Sequence, residues 1–227
     1  MDFEADALIA QAARKESPDT FGLITCALFH QPKPALFADF YRKLTEELYN
    51  SFTDDEKQSV YLYPIAYLHI TISTLYNFKH SKPQFPERCL EYWKERFTQL
   101  KQTSKNKPIR LSLEAIQLSK AAGFFLYKDE QHAVDDLRQS IRTICVPEEG
   151  QPALHVPNIV HTSFLRFIKK PADSGQFEEK FHRICKKNFE QIGETFLEFD
   201  EVCLAFESQP YMHIECDESH VLDVMKC

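Results

Sequence analysis

The chain has 227 residues, enough for one sizeable domain or two small lobes sharing a core, and its 43% hydrophobic and 27% charged residues are ordinary for a soluble globular protein. A net charge of −7 speaks against a broad electrostatic grip on duplex DNA or long RNA, which needs clustered Lys and Arg, but leaves room for a small anionic ligand in a local pocket. No run of about 18 apolar residues exists, so no membrane span and no membrane partner are expected.

In chain order, residues 1–19 form an N-terminal extension with a short amphipathic piece around Leu8, Ile9 and Ala12, closed by Ser17-Pro18-Asp19. Phe21 to Phe29 reads as a strand that ends at Gln31-Pro32-Lys33-Pro34. Leu36, Phe37, Phe40, Leu44 and Leu48 then recur at helical spacing, with Pro34 near the start. Ser51 to Gln58 is polar and acidic, a loop or a short helix. A second strand follows around His69, then a loop over 77–86 and a helix carrying Leu90, Trp93, Phe97 and Leu100. Lys101 to Pro108 is a basic, polar linker and marks the boundary between halves.

Beyond it, Ile109, Leu111 and Leu113 alternate with polar residues as a half-buried strand. Gly123 is expected to break this strand from its hairpin partner, Phe124 to Tyr127. Val134, Leu137, Ile141 and Ile144 predict a third helix, and a loop over 147–157 leads to a strand around His161. Phe177, Phe181, Ile184 and Ile192 predict a fourth helix, and Thr195 to Phe206 and Tyr211 to Cys216 are expected to close the chain as strands. Strand, helix, His-strand, helix thus occurs twice. The expectation is an α+β fold: one bilobed domain, 1–227, with pseudo-repeat halves of about 20–105 and 106–216 and antiparallel sheets around a central cleft.

Chemistry concentrates in two stretches, Tyr67-Leu68-His69-Ile70-Thr71-Ile72-Ser73-Thr74 and Asn158-Ile159-Val160-His161-Thr162-Ser163-Phe164. Each is β-branched and apolar, and each carries a histidine with a hydroxyl two positions on. Side chains at i and i+2 share a strand face, so His69 projects beside Thr71 and His161 beside Ser163. The same parity puts Tyr67 and Ser73 on the His69 face. It puts Arg166 on the face away from His161, which leaves Arg166 unassigned. Histidine, with an ordinary pKa of about 6.5, gives or takes a proton near neutrality. Two imidazoles facing one phosphorus can divide the work: a neutral one deprotonates the attacking oxygen and a protonated one protonates the leaving oxygen. Flanking hydroxyls can donate to the non-bridging oxygens, and this arrangement requires no metal.

His69-Ile70-Thr71-Ile72 and His161-Thr162-Ser163-Phe164 resemble the two His-x-Thr/Ser-hydrophobic motifs of the two-histidine phosphoesterase superfamily, which includes 2′-5′ RNA ligase-like proteins and cyclic phosphodiesterases. The likeness rests on those two four-residue motifs, with element order in keeping from about Phe21 to Glu215. It implies a bilobed α+β fold and metal-independent cleavage of cyclic, 2′-5′ or 3′-5′ phosphodiester bonds. It also implies His69 and His161 as the acid–base pair, with Thr71 and Ser163 binding phosphate. Tyr67 is a further candidate for lining the substrate cleft. The expected partner is a nucleotide or short RNA-derived substrate, with no cofactor. The motifs do not say which histidine is the acid.

Other readings stay open. A strand histidine taken alone is more often structural than catalytic, and a non-catalytic nucleotide- or RNA-binding module on the same fold is the alternative. Seven cysteines at irregular spacing read as reduced thiols, and the acidic N-terminus lacks a signal-peptide layout, so a cytoplasmic or nuclear monomer is expected. His213, Glu215, Cys216 and His220 superficially suggest metal ligands but lack zinc-site spacing. Of Phe124, Phe125 and Tyr127, two are expected in the core, leaving one open as a base-stacking surface.

Overall fold

Alternating and helical patterns along the chain resolve, in a computed structural model, into two antiparallel sheets and their covering helices. The structure describes all residues except 15, 17, 18, 30–35, 104–106 and 211–218, and except the side chains of 12 and 36. The elements run α1 (Ala7–Ala13), β1 (Gly22–Leu28), α2 (Leu36–Ser51), α3 (Asp54–Ser59), β2 (Val60–Leu62), a 3₁₀ turn (Ile65–Tyr67), β3 (His69–Tyr76) and α4 (Pro86–Thr103). They continue with β4 (Ile109–Leu118), β5 (Ala122–Lys128), α5 (Ala133–Ile144), β6 (Val160–Phe167), α6 (Ser174–Ile192), β7 (Phe196–Phe199), β8 (Glu201–Glu207) and β9 (Val221–Lys226). The class is α+β and the architecture bilobed, as the sequence pattern implies. One sheet has the order β3-β1-β8-β9 and the other β2-β6-β5-β4-β7. Each therefore draws strands from both sides of the 101–108 linker.

The helices form because one stripe of each is apolar, and that stripe finds a sheet or another helix. Phe37 and Tyr41 of α2 pack edge-on against Phe125 of β5 and Phe164 of β6, at ring centroid distances of 5.5 and 6.3 Å. Phe181 of α6 stacks on the same Phe164 at 6.1 Å. Thr53 and Glu56 close a capping box at the start of α3, and the buried Glu56 carboxylate is paired with Lys180 of α6 at 2.8 Å. On the other sheet, α4 packs against β9 and α5 against β3. No helix among the described residues is long and apolar enough to cross a membrane.

Two expectations are corrected and one strand is added. Gly123 sits inside β5 rather than ending a strand, and the turn is made by Ser119, whose hydroxyl accepts from the Ala122 amide at 3.0 Å. The glycine is there because α6 presses on it: a Cβ at 123 would come within 3.0 Å of the Phe181 ring. The run over 195–206 splits at Asp200 into β7 and β8, which join different sheets. β9, a mixed run that sequence periodicity did not flag, completes the first sheet beside β8. The expected strand Tyr211 to Cys216 lies outside the described residues.

Candidate functional site

The site is set by how β3 and β6 break the strict alternation of a strand. Across the β1 ladder, Cys26 faces Thr71 and Thr25 faces Ser73, so Ile72 has no partner of its own. Such an extra residue is a β-bulge, and it shifts side-chain parity by one. Leu28, Cys26 and Ile24 share a face of β1, and their partners are His69, Thr71 and Thr74. The His69 face therefore continues through Thr74 and not Ser73. Ser73 turns the other way, fully buried, with its hydroxyl 2.8 Å from that of Thr25.

β6 repeats the device. Phe124 faces Ser163 and Gly123 faces Leu165, leaving Phe164 as the extra residue. Leu126, Phe124 and Ala122 share a face of β5, so their partners His161, Ser163 and Arg166 share one too. Strict alternation sends Arg166 away from the histidine, and the bulge brings it back. Each motif strand thus presents a histidine, a hydroxyl two positions later and a polar residue five positions later on a single face: His69, Thr71, Thr74 and His161, Ser163, Arg166. β3 and β6 lie against each other, and His69 is close enough to both His161 and Arg166 to be affected by their charge.

A pocket of about 130 Å³ opens there, walled by His69, Thr71, Thr74, Asn77, Arg166 and Glu207 among others. His161 and Ser163 lie outside that wall. Four hollows of about 390 to 500 Å³ occur elsewhere, and none touches a motif residue. Size alone therefore points away from the histidines, whereas the side-chain chemistry points to them. Glu207, at the end of β8, is 5% exposed and tucks against Gly22, where a Cβ would fall 2.8 Å from its carboxylate oxygen. Only glycine at 22 leaves that space.

Burial dominates the electrostatics. It pulls His69, 4% exposed, from about 6.5 down to about 4; the Tyr67 backbone opposes this, and the positive potentials of His161 and Arg166 add to it. His161 is also held below its ordinary value, by burial first, then by Arg166 and Arg138, against the Ile159 backbone. Nδ1 of both rings is sealed from solvent and outside hydrogen-bond geometry. The backbone pulls from Tyr67 and Ile159 are therefore longer-range contacts, and Nε2 is the nitrogen each ring can present. Burial pushes Glu207 up to about 8, with Arg166 partly offsetting it, so the acid is mostly protonated at pH 7.

Around this centre lies an aromatic rim. Phe124 meets the His161 ring edge-on at 5.7 Å, and Tyr61 pairs with Arg166 across β2 and β6. Phe125 and Tyr127 are in the core, while Phe124 is half-buried on the cleft face. Tyr67, in the 3₁₀ turn before β3, is half-buried and near enough to Tyr61 to affect its ionisation. Strand parity does not apply to it, since it is not in the strand. Thr74, Arg166 and Glu207 escaped sequence reasoning. For Arg166 a signal existed, as it is the one Lys or Arg in β6. Glu207 had none, because its partner Gly22 is remote in sequence. Among the described residues, no group of three or more His, Cys, Asp or Glu is placed to hold a metal ion.

No protein-family model matches the sequence, and no curated protein matches it. Solved structures do share the fold. A conserved protein of unknown function from Agrobacterium tumefaciens str. C58 aligns at a TM-score of 0.65 and 9% identity, over 98% of this chain and 90% of its own. A protein from Thermus thermophilus aligns at 0.52 and 14% identity, over 90% of this chain and 97% of its own. Kluyveromyces marxianus Usb1, solved with uridine monophosphate, aligns at 0.50 and 8% identity, over 84% of this chain and 95% of its own. At these identities the likeness is one of fold, a fold held in common with a protein whose structure contains a nucleotide.

Proposed function

We propose that this protein is a two-histidine phosphodiesterase, hydrolysing a cyclic phosphate or a 2′-5′ or 3′-5′ phosphodiester of a nucleotide or short oligonucleotide without a metal. The observation that carries the reading is the duplicated bulge, which delivers a histidine, a hydroxyl and a third polar residue to one face of each strand. Structural histidines have no need of matched escorts on two strands. The uridine monophosphate in the Usb1 structure and the aromatic rim here support a nucleotide as the ligand class.

His69 and His161 are the catalytic pair in this reading. His69, neutral at pH 7, removes a proton from the attacking water as its oxygen bonds to phosphorus. His161, the less buried ring, gives its proton to the ribose oxygen as the bond from phosphorus to that oxygen breaks. Arg166, Thr71 and Ser163 donate to the non-bridging oxygens, and their anion also favours a protonated His161 once substrate is bound. Tyr67, with Tyr61 and Phe124, offers ring surface to a base. The test is turnover of nucleoside 2′,3′-cyclic phosphates and 2′-5′ oligoadenylate in EDTA. Turnover that survives EDTA and is lost in both His69→Ala and His161→Ala supports the reading, and no turnover on any of them sinks it.

The second reading is a non-catalytic nucleotide- or RNA-binding module. One observation favours it: both imidazoles are held below their ordinary pKa, so without ligand neither carries the proton a general acid needs. Tight nucleotide binding without turnover, indifferent to replacement of either histidine, decides for it.

A further inference from the structure

Arg138 of α5 is a charged side chain only 3% exposed, and it lies outside the pocket just described. Its Nε donates to the carbonyl of Ile72 at 3.2 Å and its Nη2 to the carbonyl of Ile159 at 2.8 Å. Neither acceptor is incidental. Ile72 is the extra residue of the β3 bulge, whose carbonyl the disrupted ladder leaves needing a donor. Ile159 immediately precedes β6, and its backbone is the one that acts on the His161 ring. One guanidinium therefore joins the bulge of one motif strand to the entry of the other. The planar fork of arginine suits this, since a lysine ammonium could not hold two carbonyls in fixed directions. Among the described residues its acidic ion-pair neighbour is Asp135, 3.8 Å away and largely exposed, with Asp129 acting from farther off and Arg142 opposing both.

We propose that Arg138 is a positioning residue that sets the register of the two histidine strands and, through the Ile159 carbonyl and its own charge, the orientation and proton affinity of His161. The proposal deepens the phosphodiesterase reading and rests on it for its consequence in turnover, but its physical core does not depend on catalysis. The charged groups acting on His161 are Arg166 on its own strand and Arg138 on α5; His161 in turn acts on His69 of β3, Asp135, Asp129 and Arg142 act on Arg138, and Glu207 lies beside Arg166. Removing the α5 cation takes away one of the charges that disfavour imidazolium and frees the Ile159 carbonyl to accept from the ring. Both changes push the His161 titration the same way, upward.

The experiment is an NMR titration of the histidine ring protons in the full chain, with the His161 signal identified by its absence in His161→Ala. Arg138→Met, which keeps the aliphatic bulk and removes the charge, is expected to raise the His161 midpoint. Arg138→Lys, which keeps a charge but lacks the planar fork that holds both carbonyls in fixed directions, is expected to move it part of the way and to lower kcat by roughly 10²-fold with KM little changed. An unshifted His161 midpoint in folded Arg138→Met overturns the proposal. Should Arg138→Met fail to fold, Arg138→Lys decides: a wild-type midpoint and a wild-type pH profile overturn it. Wild-type protein inactive on every phosphodiester tested would sink the enzymatic reading while leaving the titration result intact, so the two failures are told apart.

Discussion

β3 and β6 carry the same device in unequal surroundings, and the inequality does the chemical sorting. β3 is an edge strand with α5 packed against it and a backbone bridge from Thr74 to His155, and its histidine is almost wholly sealed. β6 lies between β2 and β5, and its histidine keeps some contact with solvent. The fifth position differs as well: Thr74 brings a neutral hydroxyl, Arg166 a permanent cation. Repeating a local pattern therefore did not make two equal sites. It made one imidazole that burial pulls down to about 4 and a second, less buried one that is also lowered, and the acid–base roles proposed above rest on that difference.

The comparison breaks most decisively at the histidines. Each of His69→Ala and His161→Ala should cost about 10²–10⁴-fold in kcat, and the double variant should be scarcely worse than the worse single one, because the pair acts as a unit. Equal and fully additive losses would dissolve the division of labour. The fifth positions should differ next. Arg166→Ala should cost roughly 10²–10³-fold, the scale for losing a donor to developing negative charge, whereas Thr74→Val should cost far less. Similar losses at both would mean that the cation has no special part.

The pH profile sharpens the same contrast. In kcat/KM, which reports the free enzyme, the acid limb should fall at about pH 4, set by His69, and the alkaline limb below the ordinary histidine value, set by His161. A plateau centred at pH 7 to 8 would contradict this.

Glu207 gives a test in stability. It titrates at about 8 when folded and at about 4.3 when unfolded, so between those values the native state holds the extra proton. Stability then declines with rising pH, by about 1.4 kcal/mol per pH unit. His69 works oppositely: it is about 4 folded and about 6.5 unfolded, so its contribution grows as pH rises through that window. Below about 6.5 His69, joined by His161, offsets Glu207; above it, among the described residues, the decline set by Glu207 is left. Wild type should lose Tm between pH 6.5 and 8 more steeply than Glu207→Gln, and parallel slopes would exclude the buried acid as the cause. The smallest effect lies away from the site. Gly123→Ala should cost about 1–3 kcal/mol by crowding Phe181 and Leu165, measured by denaturant unfolding.

Helices were readable because an apolar stripe at helical spacing needs only one covered face. Leu36 to Leu48, Leu90 to Leu100 and Phe177 to Ile192 all lie within α2, α4 and α6. The motif strands were readable from β-branched composition. Parity beyond the second residue was not. A bulge is decided by which partner strand is present and how it registers, and β1 and β5 are separated from β3 and β6 by whole helices. Arg166 is the clearest case: in isolation Val160 to Phe167 alternates and sends it outward, while pairing with β5 turns it inward. Splitting 195–206 between two sheets, and seating Glu207 against Gly22, likewise depended on contacts between distant segments.

By itself the sequence determined the class of fold and the two His-x-hydroxyl pairs, because period-two and helical repeats act over a few residues. Tertiary structure alone decided that Arg166, Thr74 and Glu207 join those pairs, that Ser73 leaves them, and that the two imidazoles differ in proton affinity. Ladder register and burial are properties of several strands together, and no single stretch of chain encodes them.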